Sequence, residues 1–129
     1  MDPALRKLVR DRAKRCCEYC LLAQEDSLFV SFHVEHIVPR KHGGADEPDN
    51  LALACVHCNL HKGPNLAGID PLSADLTRLF HPRKDSWIEH FSIDQDVIVG
   101  RTAIGRTTVA VLNMNGSHQV ELRRLLHRG

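Results

Sequence analysis

The sequence predicts an α+β fold, and three observations carry it. Two C-x-x-C pairs, Cys17–Cys20 and Cys55–Cys58, bracket residues 21–54. Between them, a run rich in β-branched and aromatic residues, residues 28–38, stops at Pro39 and is answered by the apolar Leu51-Ala52-Leu53-Ala54. Helical apolar spacing appears at both ends of the chain. Together these give two strands and a short helix held by a four-cysteine staple, with further short strands and C-terminal helices packed on them.

The elements follow in order. Asp2-Pro3 reads as an N-cap and first helical position, and Leu5, Leu8 and Val9 recur at helical spacing, so a helix is expected over residues 3–15. It runs into the first cysteine pair. Residues 28–38 should be extended, and Pro39 to Asn50, with Gly43-Gly44 and Pro48, should be a polar loop. Leu51–Ala54 is the return strand. Asn59 to Lys62 makes a short helix closed by Gly63-Pro64. In the second half, Ile69-Asp70-Pro71 reads as a turn, and 76–80, 87–93 and 97–99 as strands. Helices are expected over 105–113 and over 117–126, the last with Ser117 as N-cap and Val120, Leu122, Leu125 and Leu126 as its apolar set. We expect one domain over 1–129, with a stapled core over 1–64 and an extension over 65–129 packed on it.

Composition limits the rest. A 129-residue chain with 5% aromatic residues has a modest core, for which a structural metal is a plausible reinforcement. The N-terminus has no apolar signal region, and no apolar run reaches membrane-spanning length, so a soluble, cytoplasmic protein is expected. In a reducing compartment five cysteines read as metal ligands rather than disulfides. Cys17, Cys20, Cys55 and Cys58 can hold Zn²⁺ tetrahedrally in a closed, structural site, with Cys16 as an alternative to Cys17. Net charge is only +1, but basic residues cluster at Arg6, Lys7, Arg10, Arg12, Lys14 and Arg15, at Arg40 and Lys41, and at Arg123, Arg124 and Arg128. For the terminal clusters, solvated helix faces are the simpler reading.

Glu35-His36-Ile37-Val38-Pro39, then Gly43-Gly44, then Asp49-Asn50-Leu51, then Cys55-x-x-Cys58-Asn59-x-x-Lys62-Gly63 together resemble the HNH endonuclease motif. The form is that of the zinc-stapled ββα-metal, or His-Me finger, nucleases, and the resemblance covers residues 17–63. The second half, through Leu79-Phe80-His81-Pro82-Arg83, Trp87, His90-Phe91 and Gly105-Arg106-Thr107-Thr108-Val109, resembles an extension found on small bacterial HNH proteins. The resemblance implies metal-dependent hydrolysis of DNA phosphodiester bonds. It makes His36 the general base, Glu35 and Asn59 the ligands of a catalytic divalent ion, and Asn50 the residue that pins the loop and orients His36. The third motif position, often His, is here Asn59, and its harder amide oxygen favours Mg²⁺ or Mn²⁺. Arg40, Lys41 and Lys62 are expected to meet DNA phosphates, through backbone contacts with weak sequence preference. His33 shares a strand face with Glu35 and is a possible further ligand, although a packed or solvent-facing role is the simpler one. His42 sits in the basic, glycine-flanked loop, where a flexible surface loop explains it as well as a phosphate contact does. His81, His90 and Trp87 read as packing and turn residues. Alternation along a regular strand would point Glu35 and His36 to opposite faces unless the strand ends there. The competing reading is a catalytically inactive, zinc-stabilised nucleic-acid-binding module, which needs only the four cysteines.

Overall fold

The computed structural model describes residues 1–27 and 29–128. Leu28, the first residue of the expected extended run, lies outside the described residues, as does the side chain of Arg128 in the C-terminal basic cluster. Helix α1 spans Pro3–Arg12, capped by the Asp2 carboxylate, which accepts from the Ala4 amide at 2.9 Å. It ends three residues earlier than expected. Lys14 and Arg15 take φ of +54° and +55°, left-handed conformations that a helix cannot include. The basic residues in and just after α1 serve the fold as well as solvation: Arg12 donates to the Leu51 carbonyl at 2.8 Å, and Lys7 and Arg15 pair with Asp11.

The first cysteine pair lies in a small hairpin, where the Cys17 amide donates to the Leu22 carbonyl and the Gln24 amide to the Arg15 carbonyl, each at 2.8 Å. The extended run is mostly not a strand. Only β1, His33–His36, pairs antiparallel with β2, Leu51–Ala54, with His36 opposite Leu51. Upstream, the Gln24 side chain does what a neighbouring strand would do, donating to the Val30 carbonyl at 3.0 Å and accepting from the Phe32 amide at 2.7 Å. The intervening loop contains two single 3-10 turns, Arg40–His42 and Pro48–Asn50. Helix α2, Val56–Lys62, follows β2 and ends at Gly63, whose φ of +49° suits glycine. The expected order of strand, loop, strand, knuckle and helix is therefore present.

The second half differs more. The expected strand over 76–80 is present over its first part as β4, Leu76–Arg78, and it pairs with an unexpected strand β3, Ala67–Ile69, that takes in the first residue of the expected turn. Residues 87–93, expected as one strand, divide into the helical turn α3, Trp87–His90, and β5, Phe91–Asp94, which pairs with β6, Val97–Gly100. Helices α4, Ala103–Val111, and α5, Ser117–Arg128, lie close to where their apolar spacing put them. A C-x-x-C hairpin residue, Tyr19, meets Phe80 edge-on with ring centroids 6.3 Å apart, and Phe80 in turn meets Phe91 at 5.2 Å. The Trp87 indole donates to the Tyr19 carbonyl at 2.8 Å, and Arg83 pairs with Glu18. The buried apolar cluster accordingly draws Val9, Phe32 and Leu53 from the first half and Leu79, Ile98 and Leu112 from the second. No described helix is long and apolar enough to cross a membrane.

Candidate active site and metal centre

The four sulfurs of Cys17, Cys20, Cys55 and Cys58 lie within 4.8 Å of one another. A tetrahedral ion with metal–sulfur bonds of about 2.3 Å requires sulfur–sulfur edges of about 3.8 Å, and Cys20 and Cys55 stand at 3.7 Å. Each pair is shaped by its own backbone: the Cys20 amide faces the Cys17 sulfur at 3.5 Å, and the Cys58 amide faces the Cys55 sulfur at 3.4 Å. The arrangement fits a thiophilic ion. Cys16 is outside it, its thiol 3.5 Å from the Lys14 carbonyl.

The two residues between Cys17 and Cys20 fasten this centre to the strands. Glu18 accepts from the Leu53 amide at 2.8 Å, while its own amide donates to the Leu53 carbonyl at 2.9 Å. The buried Tyr19 hydroxyl donates to Glu35. Burial first, and then the Glu35 charge, push the Tyr19 phenol well above its ordinary value, so it stays a donor.

Glu35 is only 7% exposed. Its Oε1 takes the Tyr19 hydroxyl and its Oε2 faces the Lys62 amine at 3.2 Å. Burial raises the carboxyl above its usual range, although the Lys62 charge and the Tyr19 hydrogen bond oppose the rise. Lys62 is 2% exposed, and its amine also donates to the Ile37 carbonyl at 3.0 Å and the His36 carbonyl at 3.3 Å. All three of its N–H bonds are thereby used within the protein. The expectation that Lys62 meets a DNA phosphate is corrected: it is an internal pin between α2 and the end of β1. Glu35, expected to hold a catalytic ion, has both of its oxygens engaged by protein groups on the buried face.

His36 lies on the other face, its side chain 18% exposed. Strand alternation thus separates the two neighbours, and β1 ends after His36 without turning Glu35 outward. The imidazole Nε2 stands 2.6 Å from Asp46 Oδ1, and the Arg40 guanidinium grips both Asp46 oxygens at 2.8 and 2.9 Å. The hydrogen bond from His36, followed by that from Arg40, holds the Asp46 carboxyl below its usual range. Sequence reasoning missed Asp46. Its only signal was an acidic residue two positions past Gly43-Gly44, within reach of the motif histidine only once the loop folds back.

Asn50 makes that fold. Its carboxamide accepts from the Val38 amide at 2.8 Å and donates to the Val38 and Ala45 carbonyls, both at 3.0 Å. Gly44 permits the approach, since a Cβ there would lie 1.6 Å from the Val38 oxygen. The Asn50 carboxamide thus pins the loop, and none of these three hydrogen bonds goes to the His36 ring. Asn59 is half-buried on α2, and among the described residues its carboxamide has no hydrogen-bond partner. Lys41, His33 and His42 are exposed. The His57 Nε2 donates to the Asn113 carbonyl, 2.8 Å away, and the ring packs beside His61 at a centroid separation of 4.3 Å.

The ββα unit, the four-sulfur centre and the histidine at the end of the first strand fall within one stretch that is similar to a known family. Residues 17–65 match the family model described as HNH endonuclease. No curated protein and no solved structure matches the chain.

Proposed function

We propose that the protein is a metal-dependent HNH endonuclease that hydrolyses DNA phosphodiester bonds in the cytoplasm, with His36 activating the attacking water and Zn²⁺ in the four-cysteine centre. The supporting observation is the setting of His36. Its imidazole reaches solvent from a strand end fixed on three sides: by the Asn50 clamp, by the Lys62 bonds to the His36 and Ile37 carbonyls, and by pairing with Leu51. A fixed imidazole with one ring nitrogen free to accept a proton is what general-base catalysis needs. A structural zinc alone would require none of this loop.

A divalent ion such as Mg²⁺ or Mn²⁺ would, when bound, neutralise charge on the phosphoryl oxygens. Asn59 fits as an oxygen donor to it. Glu35 does not fit, so the ion's remaining partners are water, substrate phosphate or other residues. Lys41 and the exposed part of Arg40 are the groups of the expected phosphate-binding set that face solvent.

The test is cleavage of supercoiled plasmid by the wild type and by His36→Ala, with Mg²⁺, Mn²⁺ or EDTA, alongside zinc content and circular dichroism. Metal-dependent nicking that falls by about 10²–10⁴-fold in the variant, with fold and zinc retained, is the expected result. Full activity in the variant would remove His36 as the base. DNA binding without cleavage under any divalent ion would favour the inactive binding module.

A further inference from the structure

Resting on the nuclease reading, we infer that Asp46 is the positioning residue for the His36 base: it holds the proton on Nε2 and leaves Nδ1 as the nitrogen that accepts. A carboxylate offers only acceptors, so the 2.6 Å contact requires the hydrogen on Nε2. Arg40 Nε, 3.4 Å from the same nitrogen, is then a neighbour rather than a donor to it. Nδ1 has no partner among the described residues, and it is not one of the buried polar atoms left without one. It therefore opens to solvent.

Among the described residues no other group takes the orienting role. Asn50 is occupied by Val38 and Ala45, and Glu35 lies on the opposite face with Tyr19 and Lys62. Asp46 itself is fixed twice, by Arg40 Nη2, which donates to both of its oxygens, and by the Asn50 clamp one residue before it. Held below the usual carboxylate range by His36 and Arg40, it is ionised at neutral pH and stabilises the imidazolium that forms.

The proton path follows. A water O–H proton passes to Nδ1 as the water oxygen bonds to phosphorus. The bond from phosphorus to the leaving oxygen breaks with its electron pair, and that oxygen takes a proton from solvent.

Long-range ¹H–¹⁵N spectra of the wild-type imidazoles test this without reference to activity. The neutral His36 ring should carry its hydrogen on Nε2 in the wild type and become a tautomer mixture in Asp46→Ala. In cleavage assays Asp46→Ala should lower kcat by about 10–100-fold, with KM for DNA within about twofold, and Asp46→Glu should recover part of the loss. A wild-type ring protonated on Nδ1 overturns the inference whether or not the variant folds. So does an unchanged kcat in folded Asp46→Ala while His36→Ala is dead, an outcome that leaves the nuclease reading standing. Full activity in His36→Ala would instead sink that reading, and the wild-type spectrum would still decide what Asp46 holds.

Discussion

Glu35 and His36 are neighbours in the chain, and they face different worlds. On the inner side of β1, Glu35 is enclosed by a phenol from the first knuckle and an amine from α2, all three buried. On the outer side, His36 meets Asp46 and Arg40 at a surface that water reaches. Each side is a carboxylate held by a cation and a second donor, yet the inner set ties three elements of structure together and the outer set orients one imidazole. Adjacency in a motif is thus not adjacency in space. A pair of motif residues read as two parts of one active centre is here divided between the buried side of the strand and its solvent-facing side.

The comparison can be broken from either side, and the largest effect should come from what both sides share. Cys58→Ser removes a sulfur from the centre that anchors Tyr19. Structural zinc sites of this kind contribute about 10–16 kcal/mol, as much as the whole stability of a typical domain. The variant should lose its metal and its cooperative melt in calorimetry, and a folded, metal-free protein would refute the staple. Lys62→Ala acts on the inner side alone. Leaving Glu35 buried without its cation should cost about 3–5 kcal/mol in denaturant unfolding, whereas a change typical of the surface would mean that Lys62 is not locked inside.

Glu35→Gln keeps the shape and removes the charge. Its expected loss is smaller, about 1–3 kcal/mol, and the divalent-ion concentration needed for cleavage should stay where it is. A raised requirement would return Glu35 to the metal.

The smallest effect is also the sharpest, because the two carboxyls shift in opposite directions. Glu35 is raised by burial, so the folded state holds its proton longer than the unfolded chain does. Stability therefore falls as pH rises through the window above the ordinary glutamate value of about 4.3. Asp46 is lowered, so the stability that it contributes is present above the ordinary aspartate value of about 3.9 and is lost as pH falls below it. Comparing unfolding against pH for Glu35→Gln and Asp46→Asn should remove two slopes of opposite sign. Slopes of the same sign would mean that the faces are not distinct.

Much of the first half was legible because its signals are local. Pro39, Gly63 and the two cysteine pairs punctuate the chain wherever they occur, and they fix where β1 is followed by a loop and where α2 stops. The limits of that legibility are equally physical. The run through Phe29 and Val30 has strand composition but no partner strand, and a single glutamine side chain took the pairing positions instead. Residues 87–93 carry β-forming residues, yet Trp87 turns into a helical turn whose indole reaches Tyr19 and whose ring packs on Phe91 at 5.1 Å. At the site, residue types named His36 and Asn50 as central, while the burial of Lys62 and the arrival of Asp46 depend on how the loop closes. Glu18 and Tyr19 looked like spacers between cysteines. Their duties are set by neighbours 35 and 16 residues away in the chain, which no local pattern encodes.

The Gln24 side chain has one more effect, on how the molecule behaves among copies of itself. Phe29 is 97% exposed and Val30 is half exposed, in a stretch of high β-propensity continuous with a two-stranded sheet. Such a stretch with open backbone groups is a template on which another chain can add a strand and begin to aggregate. Gln24 covers the Val30 carbonyl and the Phe32 amide, so the edge offers apolar side chains but not the backbone ladder that would propagate from them. The same amide that shapes the entry to β1 also keeps a sticky segment from recruiting its like.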